Sequence, residues 1–123
     1  MSATAAQLNE ILAQSYGTER YHQHFGVAIT DGVKAIIDKA NSHWLVSDLG
    51  VNMNMIPALK TYGVGNIIFW TLTVKKDGSA NMDAWTDAGG TMLHRQHYDI
   101  TDFPVGVWKF YWQRGVLMVP NEY

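Results

Sequence analysis

Apolar residues in the first part of the chain recur three and four positions apart, which is the spacing of an amphipathic helix. Residues 3–14 carry such a stripe, and Gly17 follows it where a helix stop is expected. Thr18 is then predicted to cap a short second helical turn, with Glu19 near the positive end of its dipole. The residues predicted to follow on that turn are Tyr21, His22, His24 and Phe25.

Further helices are predicted between residues 30 and 62. Thr30 is expected to cap the first of them, because a threonine side chain can accept a hydrogen bond from a free amide of the first turn. The apolar stripe of that helix is predicted to consist of Val33, Ile36, Ile37 and Ala40. Ser42 is predicted to cap the next helix, and Pro57 must either interrupt the apolar segment that follows or begin a new helix.

From Asn66 onward the apolar period changes from that of a helix to two, which predicts β-strands. The inner face of the first strand is predicted to consist of Ile68, Trp70, Leu72 and Val74. The predicted strands cover residues 66–74, 80–85, 91–100, 107–112 and 116–119. Gly78 and Gly115 mark two hairpin turns between them.

These elements predict an α+β fold, with N-terminal helices packed on one face of a C-terminal antiparallel β-meander of about five strands. We expect a single domain over residues 1–123, mainly helical over 1–62 and an antiparallel sheet over 66–119. The aromatic side chains predicted to form the sheet wall against the helices are Trp108, Phe110 and Trp112.

The amino-acid composition excludes several classes of function. Of the 123 residues, 47% are hydrophobic and 16% are charged, which excludes intrinsic disorder. The formal net charge of -2 offers no basic field, so we expect no nucleic-acid partner. The chain has no cysteine, which removes disulfides, thiolate metal sites and a cysteine nucleophile. No apolar run approaches the roughly 20 residues of a membrane span, and the first residues lack the basic and apolar regions of a secretion signal, so we expect none. We therefore expect a cytoplasmic protein with no membrane partner.

Four short motifs resemble a family of short bacterial proteins catalogued only as a domain of unknown function. The motifs are Thr18-Glu19-Arg20-Tyr21, Thr30-Asp31-Gly32-Val33, Thr101-Asp102-Phe103-Pro104 and Pro120-Asn121-Glu122-Tyr123, with Trp44-Leu45 and Tyr98 in addition. Residues 52–65 and 83–90 match no part of the pattern. The resemblance implies a chain carried on phages, plasmids and other mobile elements, and it implies no catalytic residues.

The histidines are the main candidates for metal chemistry. His22 and His24 diverge if they lie on a helix, and the other close pair falls on opposite faces of a strand. A site assembled from His24, His43 and an aspartate stays open as an alternative. The simpler interpretation places His94 in the core and the other histidines at the surface, and it predicts no cofactor.

No serine lies in a nucleophile motif, and the glycines before the first strand favour a turn over a phosphate loop. Two pairs of carboxylates, Asp83 with Asp87 and Asp99 with Asp102, are interpreted as groups that solubilise sheet edges. We therefore do not expect an enzyme.

The second face of the predicted sheet is a better candidate for a functional site than the histidines or the carboxylates. Phe69, Trp85, Val107 and Tyr111 alternate with the inner positions and therefore point away from them. An exposed aromatic patch marks an interaction surface, so these four residues form the hypothetical binding surface. In the alternative, a loop or residues 53–62 fold over this face.

The resulting functional hypothesis is a non-catalytic protein-binding accessory protein of a mobile element, which inhibits a host defence complex such as CRISPR. A homodimer seam on the same face is also considered. The alternatives are a small metal-dependent or ligand-binding enzyme that uses the histidines, and a structural homo-oligomer subunit.

Overall fold

The computed structural model describes residues 3–15, 17–24, 26–87 and 90–122. Across these ranges the chain forms four α-helices and seven β-strands, which confirms the α+β class. The helices are α1 (Ala5–Ala13), α2 (Asp31–Ala40), α3 (His43–Met55) and α4 (Pro57–Tyr62). The strands are β1 (Tyr21–His24), β2 (Val27–Thr30), β3 (Ile68–Val74), β4 (Ala80–Trp85), β5 (Met92–Tyr98), β6 (Gly106–Gln113) and β7 (Val116–Met118). A 3-10 helix follows at Pro120–Glu122.

The described strands form one mixed sheet in the order β1-β2-β7-β6-β3-β4-β5. The prediction of an antiparallel meander of about five strands is wrong in two respects. First, β6 pairs with β3 on the side away from β4, so β5 and β6 are not neighbours and the strands from β3 to β7 do not form a simple meander. Second, β2 pairs with β7 in parallel, with Ala28 opposite Val116.

The predicted helical turn after Thr18 is wrong, because the chain there forms the hairpin of β1 and β2. Tyr21 pairs with Thr30 and His24 pairs with Val27, and Gly26 between the strands has a φ of 79°. Phe25, which was assigned to the same turn, lies outside the described residues. The region 1–62 therefore contributes two strands to the sheet besides its helices.

Thr18 is a capping residue, but for a different helix. Its Oγ1 accepts a hydrogen bond from the Asp31 amide at 2.9 Å, at the first residue of α2. Thr30 caps the same helix as predicted, by accepting a hydrogen bond from the Val33 amide at 3.4 Å. The whole predicted stripe of α2 is buried. Two side chains therefore satisfy amides that the first turn of a helix leaves free.

The predictions for the other helix ends agree less well with the structure. α1 begins with a capping box between Thr4 and Gln7 and ends at Ala13, so Gly17 is not its stop. Ser42 occupies the cap position of α3, but its side chain forms no capping hydrogen bond. Pro57 begins α4, where its missing amide hydrogen costs nothing because first-turn amides have no helical partner.

One cluster of buried apolar side chains draws on both halves of the chain. The predicted inner residues of β3 are all buried, and so are Trp108, Phe110 and Trp112 on β6. We call the side of the sheet that carries these residues the buried face. The single-domain assignment over 1–123 stays a prediction.

Helix α3 approaches the buried face at two points. Asn52 donates a hydrogen bond to Gln96 on β5 at 2.8 Å. A methyl group added at Gly50 would lie only 2.7 Å from Cγ2 of Val27 on β2. The close approach of this helix to the sheet therefore depends on a residue without a side chain.

Among the described helices, none has the length and apolar character needed to cross a membrane. The cytoplasmic location stays a prediction.

Candidate binding groove on the sheet

Three aromatic residues form a row across the central strands. Phe69 on β3 lies opposite Trp85 on β4 and opposite Tyr111 on β6. The rings of Phe69 and Tyr111 are 4.7 Å apart at an interplanar angle of 54°. All three residues are half-buried and alternate with residues of the buried face. We call the side of the sheet on which they lie the groove face.

A polar row runs beside the aromatic row. Asp83 on β4, Thr71 on β3 and Lys109 on β6 are direct neighbours in the strand register. Asp83 is only 5% exposed, and Arg95 on β5 donates to it from Nε at 2.7 Å and from Nη2 at 3.0 Å. Such a two-point pair compensates much of the cost of burying a carboxylate. Asp83 also raises the pKa of the Arg95 guanidinium, through the hydrogen bond and then its charge.

The two rows enclose a groove of about 380 Å³. Its lining includes Phe69, Thr71, Asp83, Trp85, Lys109 and Tyr111, and we call it the sheet groove. Asp87 also reaches it from the segment after β4. In the described ranges, Lys109 and Asp87 form no ion pair with another side chain, so a ligand would meet one free cation and one free anion at its rim.

The structure brings together three of the four residues predicted for the binding surface. Phe69, Trp85 and Tyr111 line the groove. Val107 is on the same face, paired with Thr73 one row further along β6, but it does not line the groove. It is 58% exposed and borders the polar row.

Residues 53–62 do not line the sheet groove. Leu59 is fully buried, and Met53 is 7% exposed. A methyl group added at Gly63 would lie 2.9 Å from Met53 Cε and 3.5 Å from Ile68 Cδ1. Since Ile68 belongs to the buried face, Met53 and Gly63, at the two ends of this segment, lie near that face.

Sequence reasoning missed the polar row. Asp83 was expected to solubilise a sheet edge, but β4 lies inside the sheet and Asp83 is buried against Arg95. The available signal was the alternation on β6, which puts Lys109 in phase with Val107 and Tyr111. The cross-strand pairing with Asp83 could not be derived, because it depends on the register of two strand pairs.

The histidines are arranged differently from the helical prediction. Because β1 is extended, His22 and His24 lie on the same face of the strand. His24 and His43 come together, with ring centroids 5.0 Å apart. His43 Nε2 lies 2.8 Å from Asp38 Oδ1.

The proximity of His24 and His43 does not complete a metal site. No set of three or more His, Cys, Asp and Glu side chains in the part of the chain that the structure describes could hold a metal ion. His94, which was expected in the core, is half-buried on β5.

Comparison with known proteins places the chain in a family without adding an activity. No curated protein and no solved structure matches it. Residues 6–123 match the family described as "Family of unknown function (DUF6876)", and this span includes every residue of the sheet groove. The resemblance inferred from the four motifs is thereby confirmed at the level of an uncharacterised family, while the bacterial and phage origin stays a prediction. The chain belongs to DUF6876, a family of unknown function.

Proposed function

We propose that the protein is a binding module that docks a partner protein through the sheet groove. The observation that carries the proposal is the row of Trp85, Phe69 and Tyr111, half-exposed on three adjacent strands. Tryptophan and tyrosine contribute disproportionately to binding energy at protein interfaces. A sheet face that meets only water normally carries mostly polar side chains, so an aromatic row there needs another explanation.

The proposal includes an arrangement in which the helices cover the buried face and leave the groove face to the partner. Three observations support it. Asn52 bonds to Gln96, Gly50 approaches Val27, and Met53 lies near Ile68, and all three strand residues belong to the buried face. The strands of the groove face are thus supported from behind, which keeps the aromatic row in a fixed geometry before a partner arrives.

The chemistry of the groove indicates what a partner presents. An apolar or aromatic side chain of the partner packs onto the exposed parts of the rings, and an acidic group is expected opposite Lys109. Asp83 is already paired with Arg95 at 2.7 Å and is therefore not available as a free anion. We place no catalytic step in the groove, because its buried carboxylate is neutralised by a permanent cation.

Within this function, we propose host machinery as the partner, with inhibition of a defence complex such as CRISPR as the specific case. This choice of partner is supported by the resemblance to proteins of mobile elements, the absence of cysteine and the aromatic groove. The docking proposal does not depend on this choice of partner. The same face could instead form a homodimer, and a measurement of the molecular mass of the isolated chain in solution distinguishes this case.

A matched pair of valines tests the docking proposal. Val107 on the groove face and Val51 on α3 are exposed to almost the same extent, 58% and 56%. We expect Val107→Lys to weaken partner capture from the source cell at least about tenfold, since a lysine charge at an interface must be desolvated. Val51→Lys is expected to capture the partner like the parent chain.

The readout is quantitative mass spectrometry of captured proteins, with the melting temperature of each variant as a check on folding. Equal capture by the two lysine variants contradicts the assignment of the groove face. If the isolated chain is a dimer in solution and Val107→Lys makes it monomeric, the occupant of the groove face is a second copy of this chain and not a different protein.

A further inference from the structure

A second cavity lies on the other side of the sheet from the sheet groove. It has a volume of about 450 Å³ and lies between the first turns of α3 and the segment after β5. Its lining includes Trp44, Asp48, Tyr98, Thr101, Asp102 and Phe103, and we call it the α3–β5 pocket. A partner docked on the groove face does not reach it, because Tyr98 pairs with Ala80 on the buried face. The pocket therefore needs its own explanation.

Aromatic rings form much of the pocket wall. The rings of Trp44 and Tyr98 meet edge to face, with centroids 5.2 Å apart. Phe103 is 4% exposed and is held from behind by Trp108, with ring centroids 5.6 Å apart. Aromatic faces carry negative electrostatic potential and attract organic cations, tryptophan most strongly.

The charged groups of the pocket are all of one sign. Asp48 and Asp102 line it, and its lining contains no lysine, arginine or histidine. Neither carboxylate forms an ion pair with any of the described residues. Two uncompensated carboxylates beside aromatic rings favour a positively charged ligand.

Tyr98 fixes the position of Asp48. Its hydroxyl donates a hydrogen bond to Asp48 Oδ2 at 2.8 Å. Burial raises the pKa of Tyr98 well above its usual range, and the hydrogen bond with Asp48 raises it further. The phenol therefore stays protonated and remains a donor, which leaves the second oxygen of Asp48 as an acceptor for a ligand.

The opposite wall is held in place by three hydrogen bonds, each of which involves at least one backbone group. The Thr101 amide donates to the Gly78 carbonyl at 2.8 Å, and the Phe103 amide donates to Thr101 Oγ1 at 3.2 Å. Trp108 Nε1 donates to the Pro104 carbonyl at 2.9 Å. A wall that is fixed before binding loses little conformational freedom when a ligand enters.

We propose that the α3–β5 pocket binds a small organic cation that carries an alkylammonium or alkylguanidinium group. The cation contacts the Trp44 and Tyr98 rings, and its N–H groups donate to Asp48 and Asp102. A bare metal ion fits the pocket less well, because Ca²⁺ takes six to eight oxygen ligands and the rings supply none. No group of metal-binding side chains is present here within the described ranges either.

A pair of isosteric probes tests the charge requirement. n-Butylguanidinium and n-butylurea have the same shape, but only the first is charged. We expect saturable binding of n-butylguanidinium at pH 7 and low salt, seen as a shift of the Trp44 indole N–H signal in a nitrogen-15 NMR titration. n-Butylurea is expected to bind at least about tenfold more weakly, because charge-assisted hydrogen bonds are the stronger kind.

Three aspartate variants complete the test. Asp48→Asn keeps an acceptor for Tyr98 and removes the charge, and it should weaken binding about tenfold. Asp102→Asn changes an exposed residue, so it tests the pocket without endangering the fold. Asp99→Asn is the control, since Asp99 lies between two lining residues, but its side chain is fully exposed and does not line the cavity. Equal binding of the two probes, or unchanged affinity in both pocket variants, overturns the proposal.

Discussion

Asp31 is held as an anion at the start of α2. His22 Nε2 lies 2.7 Å from its Oδ1, and the Glu19 amide donates to its Oδ2 at 3.0 Å. Chiefly through His22, and then through this amide, these contacts lower the pKa of Asp31 from 3.8 to about 2. The charged form is thus favoured in the folded chain, at a helix end where the dipole also favours an anion.

A pH dependence of stability follows from this shift. Because the folded pKa is depressed, the stabilisation is fully present above pH 3.8 and is lost as the pH falls toward about 2. We expect the difference in unfolding free energy between the parent chain and Asp31→Asn to shrink across that window. Urea unfolding at pH 5 and at pH 2.5 measures it, and Asp87→Asn serves as the control. A difference that stays constant between the two pH values contradicts this assignment.

Local capping signals were readable from the sequence, and distant ones were not. Thr30 was identified because its partner, the Val33 amide, lies three residues away. Thr18 was assigned to the wrong helix because its partner, the Asp31 amide, is 13 residues away. Glu122 was missed altogether, although its Oε2 accepts from the Gly32 amide at 3.0 Å across 90 residues of chain. Only the fold brings such groups together.

At the scale of elements, the strands from β3 to β7 were predicted close to their observed bounds, and the hairpin of β1 and β2 was not. β3 has seven residues in strict alternation, so its inner face could be read directly. β1 consists of a tyrosine, two histidines and a glutamine, and this segment shows no apolar alternation that would distinguish a strand from a capped turn. The parallel pairing of β2 with β7 joins segments from opposite parts of the chain, and no local pattern encodes it.

The contact between α3 and β2 offers a test at this scale. Gly50→Ala gains up to about 1 kcal/mol of helix propensity, but its Cβ would lie 2.7 Å from Val27 Cγ2. Overpacking of this kind costs about 1–3 kcal/mol, so we expect a net loss of stability. In a Val27→Ala background the obstructing methyl is gone, and Gly50→Ala should become neutral or stabilising. Urea unfolding of the four chains measures this coupling, and an equal cost in both backgrounds excludes the close contact.

For the whole molecule, the aromatic residues of the candidate surface could be predicted from the sequence, but the polar residues beside them could not. Phe69, Trp85 and Tyr111 were predicted together because strand alternation alone places them on one face. The polar row of Asp83 and Lys109 emerged only with the strand register. The α3–β5 pocket was equally inaccessible, since its walls come from a helix, a strand and a loop that meet only in the folded chain.

Site-specific crosslinking from the groove tests the docking proposal most directly. A photoreactive p-benzoylphenylalanine replaces Lys109, which is exposed and lines the groove, or replaces Lys60, an exposed lysine on α4. On irradiation in the source cell, we expect a discrete crosslinked partner from position 109 and none from position 60. The crosslink should disappear when Val107→Lys is added. No crosslink from position 109, or the same product from both positions, contradicts the assignment of the groove face as a protein-binding surface.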